Sequence, residues 1–167
     1  MKKVFWRIIR SACLIYVTVA AIVYIFQRRL QYLPDSSDVP LPTVGRFEGL
    51  KEVELVTSDG VRVLGWYWPG TRPLTIVLFH GNAGHRGHRL DWMAGFHDRG
   101  FAAFLLDYRG YGGSGGSPTE EGLYLDATAA VEWLQEKSAG KLIYLGESIG
   151  CGVAVEMAVR KPPAALI

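Results

Sequence analysis

The stretch Gly146-Glu147-Ser148-Ile149-Gly150 boxes a serine between two glycines. It stands where the apolar run Leu142-Ile143-Tyr144-Leu145 stops and a helical run, Val153 to Val159, begins. G-x-S-x-G at such a junction sets the serine on a sharp, strained strand-to-helix turn that exposes its hydroxyl. Side chains two residues before or after it would collide with the strand or the helix, so glycine is expected at both places. Gly152 and Ala154 would keep the following helix face small for close packing. The chemistry this suits is nucleophilic attack on a carbonyl. The Ile149 N–H, at a helix N-terminus, is suited to the oxyanion that develops. Phe79-His80-Gly81-Asn82-Ala83-Gly84 ends another apolar run, and its glycines would let the backbone approach a carbonyl. The expected set is Ser148 as nucleophile with oxyanion N–H groups at Asn82 and Ile149. A five-residue pattern in a chain with 20 glycines can arise by chance; the strand before Ser148 and the helix behind it argue against that.

His80 lies before the serine turn and on the same loop as Asn82, so it reads as a structural histidine tying down its loop rather than a general base. His85, His88 and His97 read as loop and helix-surface residues. Tyr111, Trp92 and Trp66-Tyr67-Trp68 read as packing residues, and Cys151 as a small buried apolar residue.

The elements that would position these groups follow from periodicity. Glu52 to Leu55 alternates polar and apolar, Asp59-Gly60 supplies a tight turn, and Val61 to Trp68 returns, which predicts an antiparallel hairpin. Leu74–Phe79, Phe101–Leu106 and Leu142–Leu145 are continuously apolar, as strands of a sheet covered on both faces are. Helices are expected from His88 to Arg99, stopping at Gly100, and from Pro118, with Ser117 as N-cap and Glu120 completing a capping box. The second carries the stripe Leu123, Ala127, Val131 and Leu134 and stops near Gly140. Hairpin followed by β-α-β-α-β-α predicts an α/β fold with a mostly parallel sheet, right-handed crossovers and helices on both faces.

Ser11 to Phe26 carries no charge, and Ile8 and Ile9 extend it past Arg10. With Arg10 snorkelling, it reaches the ~17 to 20 apolar residues a membrane-crossing helix needs. Lys2, Lys3, Arg7 and Arg10 precede it and Arg28 and Arg29 follow, so the positive-inside bias puts the N-terminus in the cytoplasm and the remainder across the membrane. A cleaved signal peptide is the competing reading, but hydrophobicity runs past the loose site at Thr18-Val19-Ala20. The domain plan is therefore a membrane anchor with basic flanks at 1–29, a proline-punctuated linker at 30–49, and a folded domain at 50–167.

A net charge of +2 is too small to argue for nucleic acid. Two distant cysteines, Cys13 and Cys151, give neither a disulfide framework nor a metal cluster. Neither cofactor nor metal is implied. Gly110-Tyr111-Gly112-Gly113-Ser114-Gly115 matches G-x-G-x-x-G, but the helix beyond it has its own cap, and no strand-end acid stands ~20 residues on. It reads as a flexible loop at the rim of the active-site edge.

Taken in order, His80-Gly81-Asn82-Ala83-Gly84, Asp107-Tyr108-Arg109-Gly110-Tyr111-Gly112-Gly113-Ser114 and Gly146-Glu147-Ser148-Ile149-Gly150 resemble the α/β-hydrolase superfamily. They are most similar to its BEM46-like, membrane-anchored branch, with the ABHD13- and ABHD17-type serine hydrolases, over roughly Gln31 to the C-terminus. The resemblance implies a membrane-anchored serine hydrolase acting through an acyl-enzyme on ester, thioester or amide bonds. Its substrates would be small molecules, lipids or acylated proteins. Asp107 would be structural. Such enzymes place the acid and then the histidine after the serine. Here no histidine follows Ser148, Glu156 is the sole acid beyond it, and Ala164 to Ile167 reads as a strand cut short. An incomplete, C-terminally truncated and nearly inactive hydrolase fold is expected. The rival is a catalytically dead, membrane-tethered scaffold or interaction domain.

Overall fold

The chain forms two compact units, Met1–Tyr32 and Leu33–Ile167. In the computed structural model every residue is described except Met1, Val44 and Ser138. The first unit is one helix, α1 (Lys2–Gln31), none of whose residues is buried. Its 30 residues span about 45 Å at 1.5 Å each, and by length and composition it is a candidate membrane span.

The second unit begins with β1 (Leu33–Pro34), then β2 (Lys51–Val56), β3 (Arg62–Trp68), β4 (Leu74–Phe79) and β5 (Ala83–Gly84). There follow α2 (Leu90–His97), β6 (Ala102–Asp107), α3 (Glu120–Glu136), β7 (Lys141–Gly146), α4 (Ile149–Arg160) and β8 (Ala165–Leu166). The main sheet has the order β2-β3-β6-β4-β7-β8. The hairpin β2-β3 joins β6 antiparallel, and β6, β4, β7 and β8 run parallel. This is the expected α/β architecture.

The parallel strands are apolar on both faces because both are covered. On one face Trp66, Trp68, Leu78, Ala103 and Leu105 enclose Met93 and Ala94 of α2. On the other, Phe104 and Tyr67 meet Trp133 of α3, and α3 buries Leu123, Ala127, Ala130, Val131 and Leu134.

Three local details differ from expectation. The helix expected at His88 starts instead as a 3-10 turn at Arg86–Arg89, and α2 itself ends at His97. Gly100, at φ +82°, reverses the chain beyond it. The cap of α3 is Thr119, not Ser117, and Pro118 lies outside the helix: the Thr119 hydroxyl accepts the Gly122 N–H at 3.0 Å, so the first turn closes two residues later. The proline-punctuated stretch read as a linker is laid on the second unit. Leu33–Pro34 pairs in parallel with Ala83–Gly84, while Val39, Leu41 and Phe47 pack against the Trp66–Trp68 cluster. Its apolar side chains cover surface the sheet leaves open, and its prolines have no N–H to strand.

Candidate functional site

Parallel pairing of β4 and β7 sets Phe79 opposite Gly146, so both strands end on one edge of the sheet. Ser148 stands just beyond that edge, exposed, ahead of α4. At φ +54° it is the one non-glycine residue with positive φ among the described residues. Such a conformation costs of order 1–3 kcal/mol and persists only where its surroundings impose it.

The surroundings here are glycines. A Cβ on Gly146 would come within 2.7 Å of the Cys151 nitrogen and 2.8 Å of the Gly150 oxygen. A Cβ on Gly150 would overlap the Phe79 carbonyl and approach the His80 oxygen. Gly152, by contrast, has nothing within 4 Å of its absent Cβ, so the close packing expected of it is not what keeps it there. Ala154 is buried as expected.

The turn is docked on the end of β4. The Glu147 N–H donates to the Phe79 carbonyl at 2.9 Å, and the Gly81 N–H donates to Glu147 Oε2 at 3.1 Å. Arg89 meets Glu147 as a fork, Nε to Oε2 at 2.9 Å and Nη2 to Oε1 at 3.1 Å, and its Nη1 donates to the Ala83 carbonyl at 2.9 Å. The Arg89 guanidinium holds the Glu147 carboxyl below its usual range. The Asn82 carbonyl accepts from the Leu33 N–H and the Tyr111 hydroxyl, both at 3.0 Å. Asn82 and Ser148 therefore belong to neighbouring strand ends on the same edge. Ile149 is the first residue of α4, where an N–H has no acceptor within its own helix.

His80 is fully buried, with Nδ1 2.7 Å from the Gly81 carbonyl and Nε2 3.6 Å from Asp107. Burial pushes its pKa down to about 4, so the ring is neutral; it ties its loop, as the sequence suggests. Asp107, also buried, accepts the Arg86 N–H and Arg86 Nη1. Burial pushes its pKa up to about 6 against the pull of Arg86, so it stays ionised at neutral pH. The glycine-rich loop is tied down rather than flexible. The Ser114 hydroxyl joins the Asp107 carbonyl to the Leu64 N–H, and Gly110 N–H bonds to the Gly115 carbonyl.

Two side chains depart from expectation. Cys151 is exposed, one helical turn from Ser148, with Sγ 3.2 Å from the Gly146 carbonyl; a helix start at a sheet edge leaves it nothing to pack against. Trp92 is half-exposed, beside Phe96, Arg99 and Leu145, whereas Trp66, Trp68 and Tyr111 are buried. Asp35, His85 and His88 also converge. Their rings stack at 4.1 Å and nearly parallel, and each Nδ1 accepts a backbone N–H, from Gly87 and from His85. Through Nδ1 the two rings make a reciprocal cap of the 3-10 turn, and His85 Nε2 lies 3.6 Å from Asp35 Oδ2. The Glu147–Arg89 pair had no signal in the sequence, since its partners lie far apart along the chain.

Sheet order, helices on both faces and a strained serine at the parallel edge define an α/β-hydrolase. The family model described as Hydrolase_4, serine aminopeptidase S33, matches residues 72–167, and the chain belongs to that family. The protein Rv2307c of Mycobacterium tuberculosis is 44% identical over 148 residues, covering 84% of this chain and 52% of its own. Protein bem46 of Schizosaccharomyces pombe is 36% identical over 150 residues, covering 82% and 50%, in keeping with the BEM46-like resemblance. Lysophosphatidylserine lipase ABHD12 of Gallus gallus is 38% identical over 106 residues, covering 59% and 28%. Among solved structures, the Pyrococcus furiosus esterase Pf2001 superposes with a TM-score of 0.66 at 25% identity, covering 75% of this chain and 52% of that one. The chain spans about half the length of the curated relatives that match it over most of its residues.

Proposed function

We propose that this chain carries the nucleophile and the oxyanion donors of a membrane-anchored serine hydrolase. Ser148 Oγ attacks the carbonyl carbon of an ester, thioester or amide. The Asn82 and Ile149 N–H groups hold the oxyanion, and collapse of the tetrahedral intermediate expels the alcohol, thiol or amine. Water then releases the acyl group from Ser148. The observation that carries this reading is the strained, exposed Ser148 at the joint edge of β4 and β7. A lipase and an esterase among the similar proteins favour ester substrates, small or lipidic; acylated proteins fit the same chemistry. Helix α1 would hold the domain at a bilayer, with the N-terminus cytoplasmic and the hydrolase domain on the other side.

A serine hydroxyl is a weak nucleophile without a base, and no histidine follows Ser148 in these 167 residues. Oxyanion hole and binding alone still give a residual ~10³-fold over water. The 167-residue chain is therefore expected to turn over p-nitrophenyl butyrate slowly and to respond to added imidazole. Ser148→Ala should abolish the imidazole-dependent gain in that rate while leaving the oxyanion-hole contribution; the same imidazole response in the variant would refute the assignment. The second reading is a catalytically dead membrane-tethered scaffold. That reading predicts a folded protein with no serine reactivity, with or without imidazole.

A further inference from the structure

We propose that Glu147 and Arg89 form a positioning pair that sets the oxyanion site and keeps it free of uncompensated negative charge. The inference rests on the serine hydrolase reading above and adds two residues to it. Glu147 immediately precedes Ser148 and receives the Gly81 N–H, while the Arg89 side chain that grips Glu147 also holds the Ala83 carbonyl. Gly81 and Ala83 flank Asn82. One ion pair thus straps both sides of the Asn82 peptide to the residue beside the serine, fixing the gap between the two oxyanion donors. Arg89 is the more deeply set, its side chain 12% exposed against 32% for Glu147. The fork geometry defines orientation as well as distance, which a lone charge could not.

The pair has an electrostatic consequence. A bare carboxylate next to Ser148 would oppose negative charge growing on the substrate oxygen. Arg89 cancels it. Removing Arg89 should therefore harm the reaction twice, by loosening the Asn82 loop and by leaving Glu147 unpaired. Removing the Glu147 charge in that background should give part of the rate back, which a purely structural strap would not do.

The test is inactivation of the 167-residue chain in detergent by a fluorophosphonate, with imidazole present to take the proton. The Ser148 Oγ–P bond forms, P–F breaks and fluoride leaves, so the phosphoryl oxygen stands in for the oxyanion. Arg89→Ala should lower kinact about 10- to 100-fold with KI little changed. Adding Glu147→Gln to it should recover several-fold, and Glu147→Gln alone should lose less than Arg89→Ala. Thermal unfolding is followed in parallel. If Arg89→Ala does not fold, Arg89→Lys replaces it, keeping the charge without the fork, with a smaller loss expected. Wild-type kinact in the Arg89 variants, or a double variant no faster than the single one, would overturn the pair's role while leaving Ser148 intact. No adduct on Ser148 in the unmodified chain would instead sink the serine reading itself, and this inference with it.

Discussion

The Phe79 carbonyl accepts the Glu147 N–H at 2.9 Å, and the space beside that oxygen admits no Cβ at Gly150. The serine turn is thus seated on the end of the neighbouring strand as well as on its own. A side chain at Gly150 must push the start of α4 away from the end of β4. Gly150→Ala should cost about 1–3 kcal/mol and unseat the turn. Gly152→Ala, in the same helix but facing open space, should be neutral or stabilising by up to about 1 kcal/mol. Urea unfolding of both variants checks the contrast; equal losses would contradict it.

Burial of His80 makes stability sensitive to acid. Its pKa falls from 6.5 to about 4 in the folded state, so between those values the unfolded chain binds the extra proton. The contribution is complete above 6.5 and is lost as pH falls toward 4, by at most about 1.4 kcal/mol per pH unit. Asp107, raised from 3.8 to about 6, works in the opposite sense over a similar window. The comparison to make is between wild type and His80→Gln, in which the Asp107–Arg86 pair is retained. The stability gap between them should narrow from pH 7 to pH 4.5. A gap that holds constant would mean His80 is not held neutral.

The two cysteines report topology. Cys151 is exposed in the second unit, and Cys13 lies within α1. In sealed vesicles a membrane-impermeant maleimide should reach Cys151 from the non-cytoplasmic side and leave Cys13 unlabelled until detergent is added. Labelling of Cys151 from the cytoplasmic side would reverse the proposed orientation.

Most of the architecture was legible because it rests on local periodicity. The apolar runs of β4, β6 and β7 and the Asp59-Gly60 turn each carry their own signature, and Gly146 and Gly150 are explained by what a Cβ would strike. What the sequence hid depends on how the folded chain places each residue. Thr119 rather than Ser117 caps α3 because only the folded loop decides which hydroxyl meets a free N–H. The stretch from Leu33 onward looks like a linker by its prolines, yet its Leu33 N–H is bonded to the Asn82 carbonyl. Cys151 has the composition of a buried residue and the position of an exposed one. The Glu147–Arg89 fork joins two segments with no pattern in common.

The central claim is that Ser148 is a displayed, reactive nucleophile, and peptide mapping after fluorophosphonate treatment tests it most directly. The chain should gain one phosphonyl adduct, slowly and faster with imidazole, on the peptide containing Ser148, with none in Ser148→Ala. Modification spread over other serines, or none at Ser148 in a folded sample, would contradict it.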